Sequence, residues 1–149
     1  MGIPEIFYNF HKNPIMVTRD SILISMRPEI PSVKTLPNTS SDERFQNQTL
    51  RPVVRLQNEL LLASFRNYVA KHKNVFYDLS LEKRLEYIEH AIQKDIKYRN
   101  SLKGIIIGQF TLDEFDEYIQ NSSALNKRMM DIVIERIKSN IQLLEYQCA

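Results

Sequence analysis

From residue 53 onward, apolar positions recur every three or four residues, the period of a helix with one side turned inward. Val54, Leu61, Phe65 and Tyr68 form one stripe, widened by Val53, Leu60, Leu62 and Val69. The stripe fades at Lys71-His72-Lys73-Asn74. Ser80 then stands as the N-cap of a helix in which Leu81, Leu85, Ile88, Ile92 and Ile96 share a face. A further helical stretch runs from about Asp95 to Phe110. Thr111-Leu-Asp-Glu114 has the form of a capping box, in which hydroxyl and carboxylate each satisfy a free backbone N–H, and it opens a short helix through Ile119. Asn121-Ser122-Ser123 reads as a turn and cap, and the last helix runs to about Tyr146. Upstream, Ser41 before Asp42 and Glu43 begins a short helix to about Thr49. Pro52 fits the first turn of the next, longer one.

The last helix carries the widest apolar arc. Met130, Ile134, Ile137, Ile141 and Leu144 are spaced four, three, four, three, a seam of heptad type. Met129 and Val133 widen it, and Leu125, Ile132 and Leu143 add a second stripe. A helix with so much apolar surface is gripped on two sides. It is either the central helix of the bundle or it lends one side to a second copy, and the five seam residues are then the interface of a homodimer.

All six prolines lie at or before position 52, which divides the chain into an arm and a segment free to be helical. Residues 1–41 read as an irregular arm and linker, with residues 27–41 extended. Residues 42–149 read as one all-α bundle of about five helices. Within the arm, Ile22, Ile24 and Met26 alternate like a strand. Thr18 could equally cap a short helix, and the helix is favoured because no partner strand is evident. Met16 before Val-Thr-Arg-Asp reads as a native start.

At 149 residues, 43% hydrophobic and 26% charged, the composition is that of an ordinary globular domain with one core. A formal net charge of +2 points to neither nucleic acid nor an anionic membrane. No apolar run is long enough to span a bilayer, and the N-terminus lacks a secretory pattern, so a cytoplasmic protein with no membrane partner is expected. The lone Cys148 excludes an internal disulfide.

The candidate chemistry is sparse. His11, His72 and His90 have no metal-ligand spacing, and neither His-x-x-x-His nor Cys-x-x-Cys occurs, so no metal or other cofactor is expected. No nucleophile elbow or dinucleotide loop is present, and no catalytic residue is assigned. Residues 112–138 form helix, turn, helix, with Asn126, Lys127 and Arg128 in the first turns of the second helix, where a helix-turn-helix reader contacts bases. The helix before it is acidic where it would approach phosphate, so this nucleic-acid reading stands second to a protein partner.

Gly104 and Gly108, two of the chain's three glycines, lie four apart and on one helical face. Each costs up to about 1 kcal/mol relative to alanine in a helix interior. The expected return is a tight helix crossing, with contact between a ligand and the bare backbone as the alternative.

FQNQTLRPVVRLQN, KHKNVFY, IQKDIKYRNSLKGIIIGQFT and YIQNSSALNKRMM together resemble a family of small helical Bacteroidetes proteins whose members often carry the label glyoxalase. The resemblance covers about residues 42 to 146. A glyoxalase I enzyme has paired βαβββ modules with His and Glu metal ligands, and a glyoxalase II enzyme has a His-x-His-x-Asp-His motif. The chain carries neither pattern, so no residue takes a catalytic role from the label. The function expected is a non-catalytic helical interaction or scaffold protein that self-associates or binds a protein partner.

Overall fold

The computed structural model describes residues 17–30 and 37–145, and every regular element among them is helical. An arm helix α1 (Arg19–Met26) precedes α2 (Ser41–Phe45), a π-helical turn (Gln46–Leu50), α3 (Arg51–Leu56) and α4 (Asn58–Lys71). These are followed by α5 (Leu81–Lys94), α6 (Ile96–Ile107), α7 (Leu112–Gln120) and α8 (Ser122–Ser139). Short 3-10 turns occupy Val75–Asp78 and Ile141–Leu143. The predicted all-α class holds. The reading of Met16 as a start, the middle of the linker, His11 and Cys148 lie outside the described residues.

The bundle divides into more segments than the five predicted, for local reasons. Pro52 has no N–H to give the carbonyl four residues back, and the ladder re-registers through the π turn just before it. Gln57, at φ −87 and ψ 7, separates α3 from α4. Ser80 caps α5 as read, accepting from the Lys83 N–H at 3.4 Å. Asp95, not read as a cap, accepts from the Tyr98 N–H at 3.1 Å and starts α6. Thr111 and Glu114 form the reciprocal pair of the capping box, at 3.2 and 2.8 Å. The cap of α2 is Ser40, one residue before the predicted Ser41. Lys73 and Asn74 stop α4 with successive left-handed residues, φ 62 and 58. The helix expected to reach Tyr146 already ends at Ser139, where the Asn140 side-chain amide donates to the Arg136 carbonyl at 2.8 Å.

At the centre lies α8, in contact with α3, α4, α5, α6, α7 and the π turn. Leu125, Met129, Met130, Ile132, Val133, Ile134 and Ile137 are all buried there. Around it close Leu61 and Phe65 of α4, Ile88 and Ile92 of α5, and Leu102 and Ile106 of α6. Phe65 meets Phe76 edge-on at 5.3 Å. The stripe predicted along α5 is buried at Ile88 and Ile92, whereas Leu81 and Ile96 stand exposed. Asp95 breaks the helix before Ile96 and turns that residue out of line.

The arm is not irregular throughout. Thr18 and Ser21 form a capping box, and residues 19–26 fold as the helix that Thr18 announces, not as a strand. Yet α1 buries none of its own residues. Its polar side chains hold it to the corner between α6 and α7.

Candidate functional site

The predicted site residues are placed as follows. Met130, Ile134, Ile137 and Leu144 are buried within their own chain, and Ile141 is partly buried against the same core. Of the two uses left open for the last helix, the central position is the observed one. The five residues predicted as an interface face the bundle, and a second copy could reach them only by opening it.

The glycines mark no helix crossing among the described residues. Among the described residues, nothing lies within 4 Å of where a Cβ on Gly104 would stand. A Cβ on Gly108 would meet the Gly104 carbonyl oxygen, one turn back on the same chain, at 3.0 Å. Both glycines are exposed at the end of α6, and what approaches there is a side chain: Arg19 donates to the Gly108 and Phe110 carbonyls, each at 2.9 Å. These are carbonyls left without partners where a helix ends.

The nucleic-acid residues are also engaged elsewhere. The Tyr118 hydroxyl donates to Asn126 Oδ1 at 2.6 Å, and Arg128 donates to Gln46 Oε1 at 2.8 Å. Lys127 borders a hollow in which Arg51, Lys127 and Arg128 are matched by Asp42, Asp131 and Glu135, so it offers no net positive charge to draw in phosphate. The apolar face of α8 is buried against the bundle, while Lys127, Asp131 and Glu135 stay exposed on its outer side.

Two surfaces not foreseen from the sequence stand out. The first is the corner where α1 meets α7. Arg27 pairs with both oxygens of Glu114 at 2.6 Å and donates to the Gln109 carbonyl at 2.7 Å. Thr49, carried by the π turn, donates to Glu114 Oε2 at 2.8 Å. Asp20 accepts from the Leu112 N–H at 3.1 Å. The side chains of Arg27 and Glu114 are 7% and 15% exposed. Burial alone would raise the Glu114 pKa, but Arg27, the Thr111 N–H and Thr49 outweigh it and hold the carboxyl below its ordinary value. Beside this anchored corner, α7 turns an apolar stripe outward: Leu112, Phe115 and Ile119 are 69%, 43% and 51% exposed. Ile22 and Met26 of α1 are exposed as well.

The second surface is a cleft between the end of α4 and the start of α6. Its inner lobe, about 270 Å³, is lined by residues that include Ser64, Tyr68, Lys71, His72, Asp95 and Tyr98. An outer lobe of about 590 Å³ continues past Tyr68 and His72 to His90 and Lys94. Three rings stack along it, His72 on Tyr68 at 4.0 Å and Tyr68 on Tyr98 at 4.3 Å. His72 Nδ1 lies 2.7 Å from the Tyr68 carbonyl, so in the neutral ring Nδ1 carries the proton and Nε2 is left free. Burial, reinforced by the charge and hydrogen bond of Asp95, raises the Tyr68 hydroxyl to about 12. Burial raises Tyr98 further, against a smaller opposing effect of Ser64. Both tyrosines therefore stay protonated as donors at neutral pH. The sequence reading placed Tyr68 in the core stripe and gave His72 no role. The signal for the cleft was the basic Lys71-His72-Lys73 run together with Asp95-Ile96-Lys97-Tyr98, which lie apart in sequence and are joined only by the fold.

Among the described residues, no group of three His, Cys, Asp or Glu side chains is placed to hold a metal ion, and no helix is long and apolar enough to cross a membrane. No protein-family profile matches the chain, and no curated protein or solved structure matches it.

Proposed function

We propose that the chain is a non-catalytic interaction protein whose helical bundle presents α7 as a docking face for a helical segment of another protein. The observation that supports this reading is the Leu112–Phe115–Ile119 stripe. Its spacing of three and four is that of an amphipathic helix, yet the stripe points to water and not to the bundle. The Arg27–Glu114 pair and the Asp20 contact hold the first turn of α7 in place, so the face is fixed before a partner arrives.

Charge selects the partner. Asp113, Asp116 and Glu117 are exposed along α7 and make no salt bridge among the described residues. A second copy meeting the same face would bring acid against acid, whereas an amphipathic helix with lysines or arginines beside its apolar stripe is matched in both respects.

The test uses a chain labelled with a fluorophore at Gln120→Cys in a Cys148→Ser background. It is titrated with a Leu/Lys amphipathic peptide and with a Leu/Glu counterpart. The basic peptide is expected to saturate, and Phe115→Ser to weaken it about tenfold or more, the scale of one apolar anchor. The reading fails if neither peptide binds, if both bind alike, or if Phe115→Ser changes nothing. Light scattering that gives the mass of two chains, reduced to one by Leu112→Ser, would assign the face to a second copy instead.

A further inference from the structure

We propose that α1 is a releasable strap that orders the first turn of α7, so that docking of the strap and docking of a partner on the α7 face reinforce each other. This rests on the reading of α7 as a docking face and adds its regulation. The strap lies across the junction of two helices and is matched to both. Arg19 and Arg27 donate to the carbonyls of Gly108, Gln109 and Phe110, where α6 has ended. Asp20 accepts from the N–H of Leu112, the first residue of α7. Cations on the carbonyl end and an anion on the N–H end follow the polarity of the backbone at each. Arg27 also pairs with Glu114, the carboxylate of the α7 capping box. That first turn carries Leu112 and Phe115, two of the three residues of the exposed stripe.

The two ends of α7 are held differently. At the far end Tyr118 is buried, and its hydroxyl donates to Asn126 of α8. At the near end Glu114 is held by Thr49 from the bundle and by Arg27 from α1. Release of α1 therefore loosens the near end and leaves the far end in place. Two features keep α1 within reach of release. It buries none of its own residues, so little apolar burial opposes its departure. In the docked state Arg27 Nε and Gln109 Oε1 are buried without hydrogen-bond partners, which offsets part of the Arg27–Glu114 attraction. A partner that needs the ordered turn then favours the docked strap by the same factor by which the strap improves its binding.

The experiment is amide hydrogen exchange of the full chain, read by NMR with and without the Leu/Lys peptide. Arg19→Ala is the main variant, because Arg19 bonds Asp20 and carbonyls that precede α7 but no atom of α7 itself. Arg19→Ala/Asp20→Ala is the second, should one lost side chain leave α1 in place. Without peptide, exchange is expected to rise several-fold in α1 and also at Leu112, Phe115 and Asp116, while α8 is unchanged. With peptide, exchange in α1 of the wild-type chain is expected to slow. Arg19→Ala should weaken the peptide about threefold or more, as when the competent turn is ordered about a third of the time. The strap is overturned if α1 opens while Leu112, Phe115 and Asp116 keep their rates, or if α1 stays protected in both variants. It is overturned equally if the peptide speeds exchange in α1, which would make α1 a competitor for the face. A peptide that does not bind the wild-type chain removes the docking face and the reinforcement with it. One that binds but is unaffected by Arg19→Ala removes the strap and leaves the face.

Discussion

Helices α7 and α8 follow one another across a single residue, Asn121, and both are amphipathic. Their apolar residues meet opposite fates. Those of α8 are absorbed by five neighbouring helices and the π turn, and its wide arc closes the core from within. Those of α7 at Leu112, Phe115 and Ile119 stay in water, while the bundle takes Tyr118 and Glu114 from its other side. The contrast teaches that an apolar stripe identifies a surface to be covered and does not say by what. The helix with the stronger heptad seam is the one that has no apolar face left to offer.

Deleting side-chain volume on each helix gives the largest effects. Ile137 is fully buried, so Ile137→Ala should destabilise by about 2–5 kcal/mol, a large part of the stability of a typical domain. Ile119→Ala, half in water, should stay within about 0.5 kcal/mol. Urea unfolding midpoints of the two variants decide the matter. Equal losses would mean that the α7 stripe is covered in the free chain. A small loss at Ile137 accompanied by loss of a dimer would return α8 to an intermolecular role.

The corner that holds α7 should respond next, and it should respond to pH. Glu114→Gln leaves Arg27 without its counter-charge and should cost about 2–4 kcal/mol, below the loss for a pair at full depth because both groups keep some contact with water. The folded pKa of Glu114 lies below the ordinary value of 4.5. The unfolded chain therefore binds its proton first as pH falls, and the contribution of the pair is complete above about 4.5 and is lost as pH drops through the lower folded value. The wild-type midpoint should fall more between neutral and acidic pH than that of Glu114→Gln. Parallel curves would show that Glu114 has no such depressed pKa. In the variant, amide exchange should rise in α1, which buries no residue and depends on Arg19, Asp20 and Arg27 for its attachment.

Much of the fold was legible because local chemistry decided it. The caps Ser80 and Thr111, the stop at Lys73-Asn74 and the Thr18 cap are each settled within a few residues. The candidate sites were less legible because they depend on which face of each helix the bundle covers. Periodicity grouped Met130, Ile134 and Ile137 on one face of α8 but carried the seam past its end to Ile141 and Leu144, and inside and outside are assigned by neighbours distant in sequence, such as Ile88 and Leu61. The cleft joins residues 68 and 98, and the anchored corner joins residues 27 and 114. No spacing within one helix announces either pairing. The glycines misled for the same reason: a face without Cβ atoms is compatible with a crossing and equally with open water.

The smallest effect tests that last point. If α6 were crossed at Gly104, adding a methyl group would push two backbones apart and destabilise the chain by more than about 1 kcal/mol. The observed space is open, and Gly104 lies inside the helix at a φ that any residue can adopt. Gly104→Ala should therefore stabilise the chain by about 0.5–1 kcal/mol, through the freedom that alanine denies the unfolded chain. A rise of about 2–4 °C in the melting temperature is the expected reading for 1 kcal/mol in a chain of this size. Gly108→Ala should gain less, because its new Cβ would stand 3.0 Å from the Gly104 carbonyl oxygen. A melting temperature that falls on Gly104→Ala would show that something packs on this end of α6. The α7 stripe would then be the weaker candidate for a covered face, since α6 leads directly into the corner that Arg19 and Arg27 hold.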